Sequence, residues 1–229
     1  MRRPGRSAPH TDAARLSPSA SGTGERAGSE CGAVLVAVLL LTVILGAIGL
    51  TVSLVVDVEH LMAAYHRDGL RLHHAAEGVA DVVVDELAGV ADWTPVPGGG
   101  TSARLAGSLV LPPALGGGPF DAPAATLALQ QAAYSGNPWG VDTPRWRLFG
   151  QGVPGSVLPF AGLPDDVYAI VWVSDDVADG DGDARVDSNG VVVLRVRVIG
   201  PRRARADVQL VIARVAPGVV RRVSSRTMR

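Results

Sequence analysis

The densest set of metal-ligating side chains in this chain lies in the stretch SDDVADGDGDARVDSNG, between two apolar segments near the C-terminus. We call residues 175–189 the acidic loop. Its candidate ligands are the side chains of Asp175, Asp176, Asp179, Asp181, Asp183, Asp187 and Asn189. Carboxylate and amide oxygens are the ligands that calcium prefers, and alternate aspartates separated by glycine can converge on one ion. The acidic loop is therefore a candidate calcium site, and the sequence suggests no other cofactor.

The spacing within the acidic loop excludes an EF-hand. Asp179, Asp181 and Asp183 match the Asp-x-Asp-x-Asp opening of that motif. However, Ala184 stands where the motif needs glycine, and Gly190 stands where it needs a bidentate glutamate. Aspartate and glycine are also common turn formers. Two interpretations stay open: a looser calcium site in a hairpin loop, and an acidic solvated turn without an ion.

The other chemistry-bearing residues do not indicate an enzyme. Histidines occur in the region predicted below to be helical, at His60, His66, His73 and His74, and no i,i+4 pair among them completes a metal set. The sequence contains no nucleophile elbow, P-loop, zinc spacing or dinucleotide fingerprint. We interpret Trp139, Trp146 and Trp172 as core or loop anchors. We therefore expect a non-enzymatic protein, and its net charge of −1 gives no global sign of nucleic-acid binding.

Val- and Ile-rich segments must position the acidic loop. These segments are 166–174, 190–200 and 205–215, and each alternates with period two, as strands do. In the middle segment, Arg195 and Arg197 fall on the face opposite Val192, Leu194, Val196 and Val198. The pattern predicts an antiparallel meander of three or four strands over 166–215. Residues 216–229 are predicted to form a loose basic tail.

A long helix is predicted before this sheet. Residues 33–56 carry no charge and, at about 1.5 Å per residue, are long enough to span the ~30 Å hydrocarbon core of a bilayer. Residues 57–90 follow without a break, with apolar residues every three or four positions. We expect one continuous helix over about 33–87, whose amphipathic half covers the apolar face of the sheet. The predicted fold class is thus α+β.

The remaining segments have less regular patterns. Residues 1–32 are polar and rich in Ser, Pro and Gly, which predicts a disordered leader. Residues 91–165 form a Gly- and Pro-rich variable region with a short helix near 124–134, capped by Asp121 or Thr126. A short strand is predicted at 143–150. The leader carries several arginines, whereas Asp57 and Glu59 follow the apolar run, so the positive-inside rule places the leader in the cytoplasm.

This order of elements resembles the type IV pilin and pseudopilin superfamily. The stretches CGAVLVAVLLLTVILGAIGL and HHAAEG resemble PilX-type minor pilins, which are pilus assembly proteins, and residues 168–214 resemble the heads that accompany such N-termini. The resemblance implies that a prepilin peptidase cuts after Gly32 and leaves Ala33 as the N-methylated first residue. Most members carry glutamate at the fifth mature position. Here that position is Ala37, which favours a tip or initiator role over a shaft role.

The function implied by the resemblance is that of a minor pilin or pseudopilin. Such a subunit helps to initiate, cap or assemble a type IV pilus or a type II secretion pseudopilus. It would sit in the bacterial inner membrane with a single pass, a cytoplasmic N-terminus and a periplasmic head, and move to the filament tip on assembly. Its expected partners are other pilin or pseudopilin subunits, the prepilin peptidase and the membrane, with no nucleic acid. The alternative is a bitopic, membrane-anchored periplasmic binding module or adhesin, with calcium dependence as one version.

Overall fold

The computed structural model describes residues 26–134, 143–158 and 166–228 of the chain. Its first element, α1 (Arg26–Ala88), is a single α-helix, as the periodicity predicts. The helix begins at Arg26 rather than at residue 33, so the end of the predicted leader is helical; residues 1–25 lie outside the described residues. The chain divides into two compact units, Met1–Glu59 and His60–Arg229, and each is described by itself.

The first unit contains the apolar part of α1. Side chains throughout 33–56 are exposed, and none of the most apolar part of this helix is buried inside the protein. The hydroxyls of Thr42 and Thr51 donate hydrogen bonds of 2.8 Å to backbone carbonyls of the preceding turn, so they remain paired without water. Among the described residues, this is the one helix long and apolar enough to cross a membrane.

The second unit contains a five-stranded sheet in which every neighbouring pair is antiparallel. Its strands are β1 (Arg147–Gly152), β2 (Tyr168–Asp175), β3 (Val191–Ile199), β4 (Arg205–Ala216) and β5 (Val219–Met228), in that spatial order. Besides α1, the described residues of this unit form α2 (Val96–Gly99), α3 (Ala122–Tyr134) and short 3-10 turns at Pro113–Leu115, Pro154–Ser156 and Pro201–Arg203. The sheet is a simple meander because consecutive strands are spatial neighbours.

The main core lies between the amphipathic part of α1 and one face of the sheet. The helix contributes Leu72, Ala76, Val79, Val83 and Leu87, and the sheet contributes Val192, Leu194, Val196, Val198, Val208, Leu210 and Ile212, all at most 2% exposed. Burying one of these valine, leucine or isoleucine side chains contributes about 1.5–3 kcal/mol. The Trp93 indole N–H donates to the carbonyl of Leu87 at 2.9 Å, where the helix ends. The predicted packing of helix on sheet, and with it the α+β class, is confirmed.

A second core covers the opposite side of β2. It contains Leu129 of α3 with Trp146, Tyr168, Ile170 and Trp172. The polar atoms of two of these residues are paired: the Trp172 indole N–H donates to the Thr126 hydroxyl at 2.8 Å, and the Tyr168 hydroxyl donates to the carbonyl of Ser108 at 2.7 Å. Strand β2 is buried along its whole length as a result. Trp146 and Trp172 are core anchors, as predicted, and Trp139 lies outside the described residues.

The C-terminal segment corrects one prediction. Instead of a loose tail, residues 219–228 form β5, which pairs with β4 through a tight turn at Gly218. This glycine has a φ of 75°, a left-handed conformation that glycine adopts without steric cost. Most of β5 is exposed, and Arg222 forms an ion pair with Asp81 of α1. Backbone pairing rather than side-chain burial holds this strand, so the segment has no alternating apolar pattern.

The variable region also differs in detail from the expectation. Helix α3 begins at Ala122, and the Asp121 carboxylate accepts a hydrogen bond of 2.9 Å from the backbone N–H of Ala124. Asp121 is therefore the cap, whereas the Thr126 hydroxyl donates within the helix to Ala122. The predicted strand at 143–150 begins later, at Arg147, and continues to Gly152.

Candidate functional site

The acidic loop connects β2 to β3 across one end of the sheet. Strand β2 ends at Asp175 and β3 begins at Val191, and Asp175 is paired in register with Val192. The two ends of the loop are thus held side by side by sheet hydrogen bonds. This pairing places the start of the loop in the buried end of the sheet, where Asp175 is only 3% exposed.

The structure brings together three of the predicted ligands. Asp175, Asp176 and Asp179 each offer a carboxylate oxygen, and these oxygens lie within 4.8 Å of one another. We call these three residues the acidic trio. Asp175 and Asp179 are buried and Asp176 is half-buried. Because like charges at this separation repel, the acidic trio suits a hard cation that would neutralise them.

Residues at the far end of the loop hold two members of the acidic trio. The Asp179 carboxylate accepts hydrogen bonds from the Ser188 hydroxyl at 2.5 Å and from the Ser188 backbone N–H at 2.6 Å. The Asp176 carboxylate accepts from the Asn189 side-chain amide at 2.8 Å. Asn189 therefore orients Asp176 through a hydrogen bond and is not a member of the acidic trio. Ser188, which orients Asp179, was not among the predicted residues, because serine in a run of turn-forming residues gives no specific sign of such a role.

The remaining candidates organise the loop backbone. Buried Asp187 accepts from the backbone N–H groups of Gly190 and Val191, at 2.8 and 3.1 Å, just where β3 begins. Exposed Asp181 and Asp183 each accept from the backbone N–H two residues further on, which is the hydrogen bond of an Asx turn. The expected convergence of alternate aspartates at 179, 181 and 183 is replaced by the acidic trio, because these turns engage the carboxylates of residues 181 and 183 locally.

Burial dominates the electrostatics of the acidic loop. Desolvation raises the pKa of Asp175 to about 7, and the nearby carboxylates of Asp179 and Asp176 add to the effect, against a lowering by the backbone N–H of Asp176. Burial also raises the pKa of Asp187. Burial alone would raise the pKa of Asp179, but the hydrogen bonds from Ser188 outweigh it and lower that pKa. Asp175 is therefore the member of the acidic trio that gains most from neutralisation by a proton or a cation.

The predicted processing residues lie in α1, in the first unit. Gly32 is exposed, and a Cβ added to it would meet no atom within 4 Å. Ala33 follows as the first residue of the uncharged run. Packing among the described residues therefore places no constraint on the side chain at position 32.

Comparison with known proteins found no matching family model, no matching curated protein and no matching solved structure.

Proposed function

We propose that this protein is a membrane-inserted filament subunit of the minor pilin or pseudopilin kind. It would help to initiate, cap or assemble a type IV pilus or a type II secretion pseudopilus. The observation that carries the proposal is the unbroken helix α1, which is apolar and exposed over 33–56 and buries an apolar face only from Leu72 onward. A helix of this kind is suited to pack beside copies of itself along its exposed part.

The exposed apolar side chains of α1 just before its buried part support the proposal. Leu61, Met62 and Tyr65 are 59%, 61% and 56% exposed. They continue the spacing of three and four residues that the buried face of α1 follows. Clusters of exposed large apolar side chains commonly mark interaction sites. In a filament, neighbouring helices would cover this surface.

The proposal also covers the position of the subunit in the filament and its orientation in the membrane. Glutamate at the fifth mature position, usual in the superfamily, would neutralise the terminal amine of a neighbouring subunit inside an apolar bundle. Ala37 cannot do so, which suits a tip subunit that has no neighbour above it. The arginines before the span, with Asp57 and Glu59 after it, support a cytoplasmic N-terminus and a periplasmic head.

The test uses the only cysteine of the chain, Cys31, which lies immediately before Gly32. Cleavage after Gly32 removes this thiol, so the mature protein has none. In cells that co-express a prepilin peptidase, we expect a product that begins at Ala33 by intact mass and does not react with a maleimide after denaturation. The Gly32→Arg variant should keep both its full mass and the maleimide label.

A matched control is Gly49→Ala, because Gly49 lies in the same helix and also has open space at its Cβ position. This variant should be processed like the wild type. If the wild type keeps Cys31 in cells whose peptidase processes a second, known prepilin, the filament proposal fails. That outcome would favour the anchored binding module.

A second candidate function is calcium binding by the head, in either kind of protein. The acidic trio supports it, because its three carboxylates offer oxygens within 4.8 Å of one another and two of the three residues are buried. Among the described residues, the hydrogen-bond donors to these carboxylates are backbone N–H groups and the side chains of Ser188 and Asn189, and none of these donors is positively charged. Asp175, Asp176 and Asp179 would supply the oxygen ligands, and Asn189 would orient Asp176. The ion would remove the repulsion within the trio and lock the connection from β2 to β3.

A further inference from the structure

The two outer strands of the sheet, β1 and β5, differ in how their free edges are treated. The outer edge of β1 is paired with the segment 102–107. The backbone N–H groups of Ser102 and Gly107 donate to β1 carbonyls at 2.6 and 2.7 Å, and Gln151 of β1 donates to the carbonyl of Leu105 at 2.8 Å. In the described part of the chain, the backbone of β5 has no hydrogen-bond partner other than β4. One edge is thus closed by the chain itself, and the other is open.

The open edge of β5 is long and little buried. The strand has 10 residues, whereas strands in globular proteins average about 5–6. Most of its side chains are exposed, and those of Val219 and Val223 are 50% and 60% exposed. Folded proteins usually keep such edges short or covered, because a row of unpaired N–H and C=O groups can pair with another chain. β5 therefore has the form of a strand to which another strand adds.

The strand register places two arginines on one face of this edge. Arg221 is paired with Ala213 of β4, and Arg226 is paired with Gln209. These two partners lie four positions apart on β4, so both arginines are on the same face of the sheet. A register shift between the two pairs absorbs the extra residue on β5. Both arginines are exposed.

These two arginines have no carboxylate partner among the described residues. Neither forms an ion pair there, whereas Arg222, on the other face of β5, pairs with Asp81 of α1. β5 itself contains no aspartate or glutamate. The acid on the same face of β4, Asp207, already accepts from Arg195 and Arg197. An added strand with carboxylates on this face would therefore gain favourable cross-strand pairs.

The same charges disfavour a second copy of this chain as the added strand. All charged side chains of β5 are arginines, so two copies of β5 would bring like charges together, which destabilises strand pairing. The acidic loop of a second copy is also unsuited, because Asp181 and Asp183 hold its backbone in turns rather than in an extended form. The added strand is thus expected from a different protein.

We propose that the open edge of β5 accepts an extended acidic segment of another protein as a sixth strand. Backbone hydrogen bonds with β5 supply the affinity, and carboxylates on the face of Arg221 and Arg226 supply the specificity. Such a partner binds whether or not α1 enters a filament, because the edge belongs to the sheet alone.

The test uses the full chain in lipid nanodiscs and a fluorescein-labelled peptide, of the length of β5, in which glutamate alternates with valine. Binding is measured by fluorescence anisotropy, with empty nanodiscs as the blank. In a second peptide lysine replaces glutamate. In a third, every backbone nitrogen is methylated, so the peptide keeps its carboxylates but cannot donate hydrogen bonds to the edge. We expect saturable binding of the first peptide and at least about tenfold weaker binding of the other two.

Protein variants and hydrogen exchange locate the bound peptide. The double variant Arg221→Gln/Arg226→Gln should weaken binding of the glutamate peptide several-fold. The matched double variant Arg185→Gln/Arg203→Gln removes the same charge from exposed arginines outside β5 and should bind as the wild type does. Amide hydrogen exchange should slow in residues 219–228 when the peptide binds. It should not change in β1, whose outer edge is already paired.

Several outcomes would overturn the proposal. They are the absence of saturable binding, binding of the lysine or the methylated peptide as tight as that of the glutamate peptide, and equal loss of binding in the two double variants. Slower exchange only outside residues 219–228 would place the peptide elsewhere. Slower exchange in these residues at raised protein concentration without peptide would assign the edge to a second copy of this chain instead.

Discussion

Gly200 lies so close to Leu72 that a Cβ atom at position 200 would come within 2.6 Å of the Leu72 Cδ2 atom. Leu72 is itself 1% exposed, in the core between α1 and the sheet. The turn from β3 to β4 therefore rests directly on the helix. Glycine is required here for space, because its φ of −128° is accessible to any residue.

Gly200→Ala should destabilise the second unit, His60–Arg229, which we call the head. Overpacking a well-filled core costs about 1–3 kcal/mol in the free energy of unfolding. The cost should largely vanish in the Leu72→Ala background, where the clashing methyl groups are absent, and this coupling can be measured by a double-mutant cycle on the full chain in detergent. Gly180→Ala is the matched control, since its Cβ would meet no atom within 4 Å. Equal effects at positions 180 and 200 would contradict the packing argument.

Asp207 should be among the most important charged residues for stability. Its carboxylate accepts from Arg195 Nη2 and Arg197 Nη2, both at 2.7 Å, and from Arg197 Nε at 2.8 Å, and it is 6% exposed. Asp207→Ala leaves both guanidiniums without their partner and should cost about 3–5 kcal/mol, measured by denaturant unfolding. The exposed Arg104–Asp85 pair is the comparison, and Asp85→Ala should cost at most about 1 kcal/mol.

The same carboxylate predicts a pH effect. Burial alone would raise the pKa of Asp207, but its hydrogen bonds to Arg197 and Arg195 outweigh burial and lower it. A folded-state pKa below the unfolded value adds stability that is present above the unfolded value, near pH 4, and is lost as the pH falls further. The wild type should therefore lose stability more steeply below pH 4 than Asp207→Ala does. Parallel acid-unfolding curves for the two proteins would count against this assignment.

Asp175 predicts the opposite pH dependence. Its pKa in the folded state is about 7, above the unfolded value, so the folded protein binds more protons between about pH 4 and pH 7. Its contribution to the free energy of unfolding is present at low pH and is lost as the pH rises to 7. In chelator, Asp175→Asn should therefore stabilise the protein at pH 8, by about 1–3 kcal/mol, and change little at pH 4.

The control for this titration is Asp183→Asn, which changes an exposed carboxylate of the same loop. Its thermal transition should follow the wild type at both pH values. Asp175→Asn keeps an oxygen that can accept from the Asp176 backbone N–H, so the comparison isolates the charge. A pH profile of Asp175→Asn identical to that of the wild type would refute the role given to Asp175.

Calcium should raise the melting temperature of the head at neutral pH if the acidic trio binds it. An ion at 100 times its dissociation constant stabilises the folded state by about 2.7 kcal/mol. Asp176→Asn should abolish most of the increase, whereas Asp181→Asn, outside the trio, should retain it. The measurement is a thermal scan of the full chain in detergent with calcium or chelator. An unchanged transition on adding calcium would leave the solvated acidic turn as the interpretation.

Several elements were predictable because their patterns are local. The uncharged run over 33–56 and the three- and four-residue spacing after it specify a continuous helix, and α1 is one helix. The alternation in 190–200 specifies a strand with aliphatic residues on one face, and β3 places Leu194 in the core and Arg197 on the other face. In both cases a short stretch of sequence is enough to show the periodic spacing of apolar side chains that is typical of the element.

Strand β5 and the membership of the acidic trio could not be predicted in the same way. β5 is held by backbone pairing with β4 and exposes most of its side chains, so its sequence carries no period. Which aspartates converge depends on the register that pairs Asp175 with Val192 and on the bonds from Ser188 and Asn189. The composition of the sequence identified the acidic loop, but the strand register and these hydrogen bonds determine which of its aspartates form the acidic trio.

The sequence by itself determined the long helix, strands β2 to β4 and the acidic connection between β2 and β3, because each is specified by a short-range pattern. Only the tertiary structure decided the contact of α3 with the segment before β1, where the Gln130 side chain accepts from the Trp146 backbone N–H, and the contact of Gly200 with Leu72. These pairs are distant in the chain and have no common period. They meet because two faces of the sheet are covered by different helices, and that packing is a property of the whole fold.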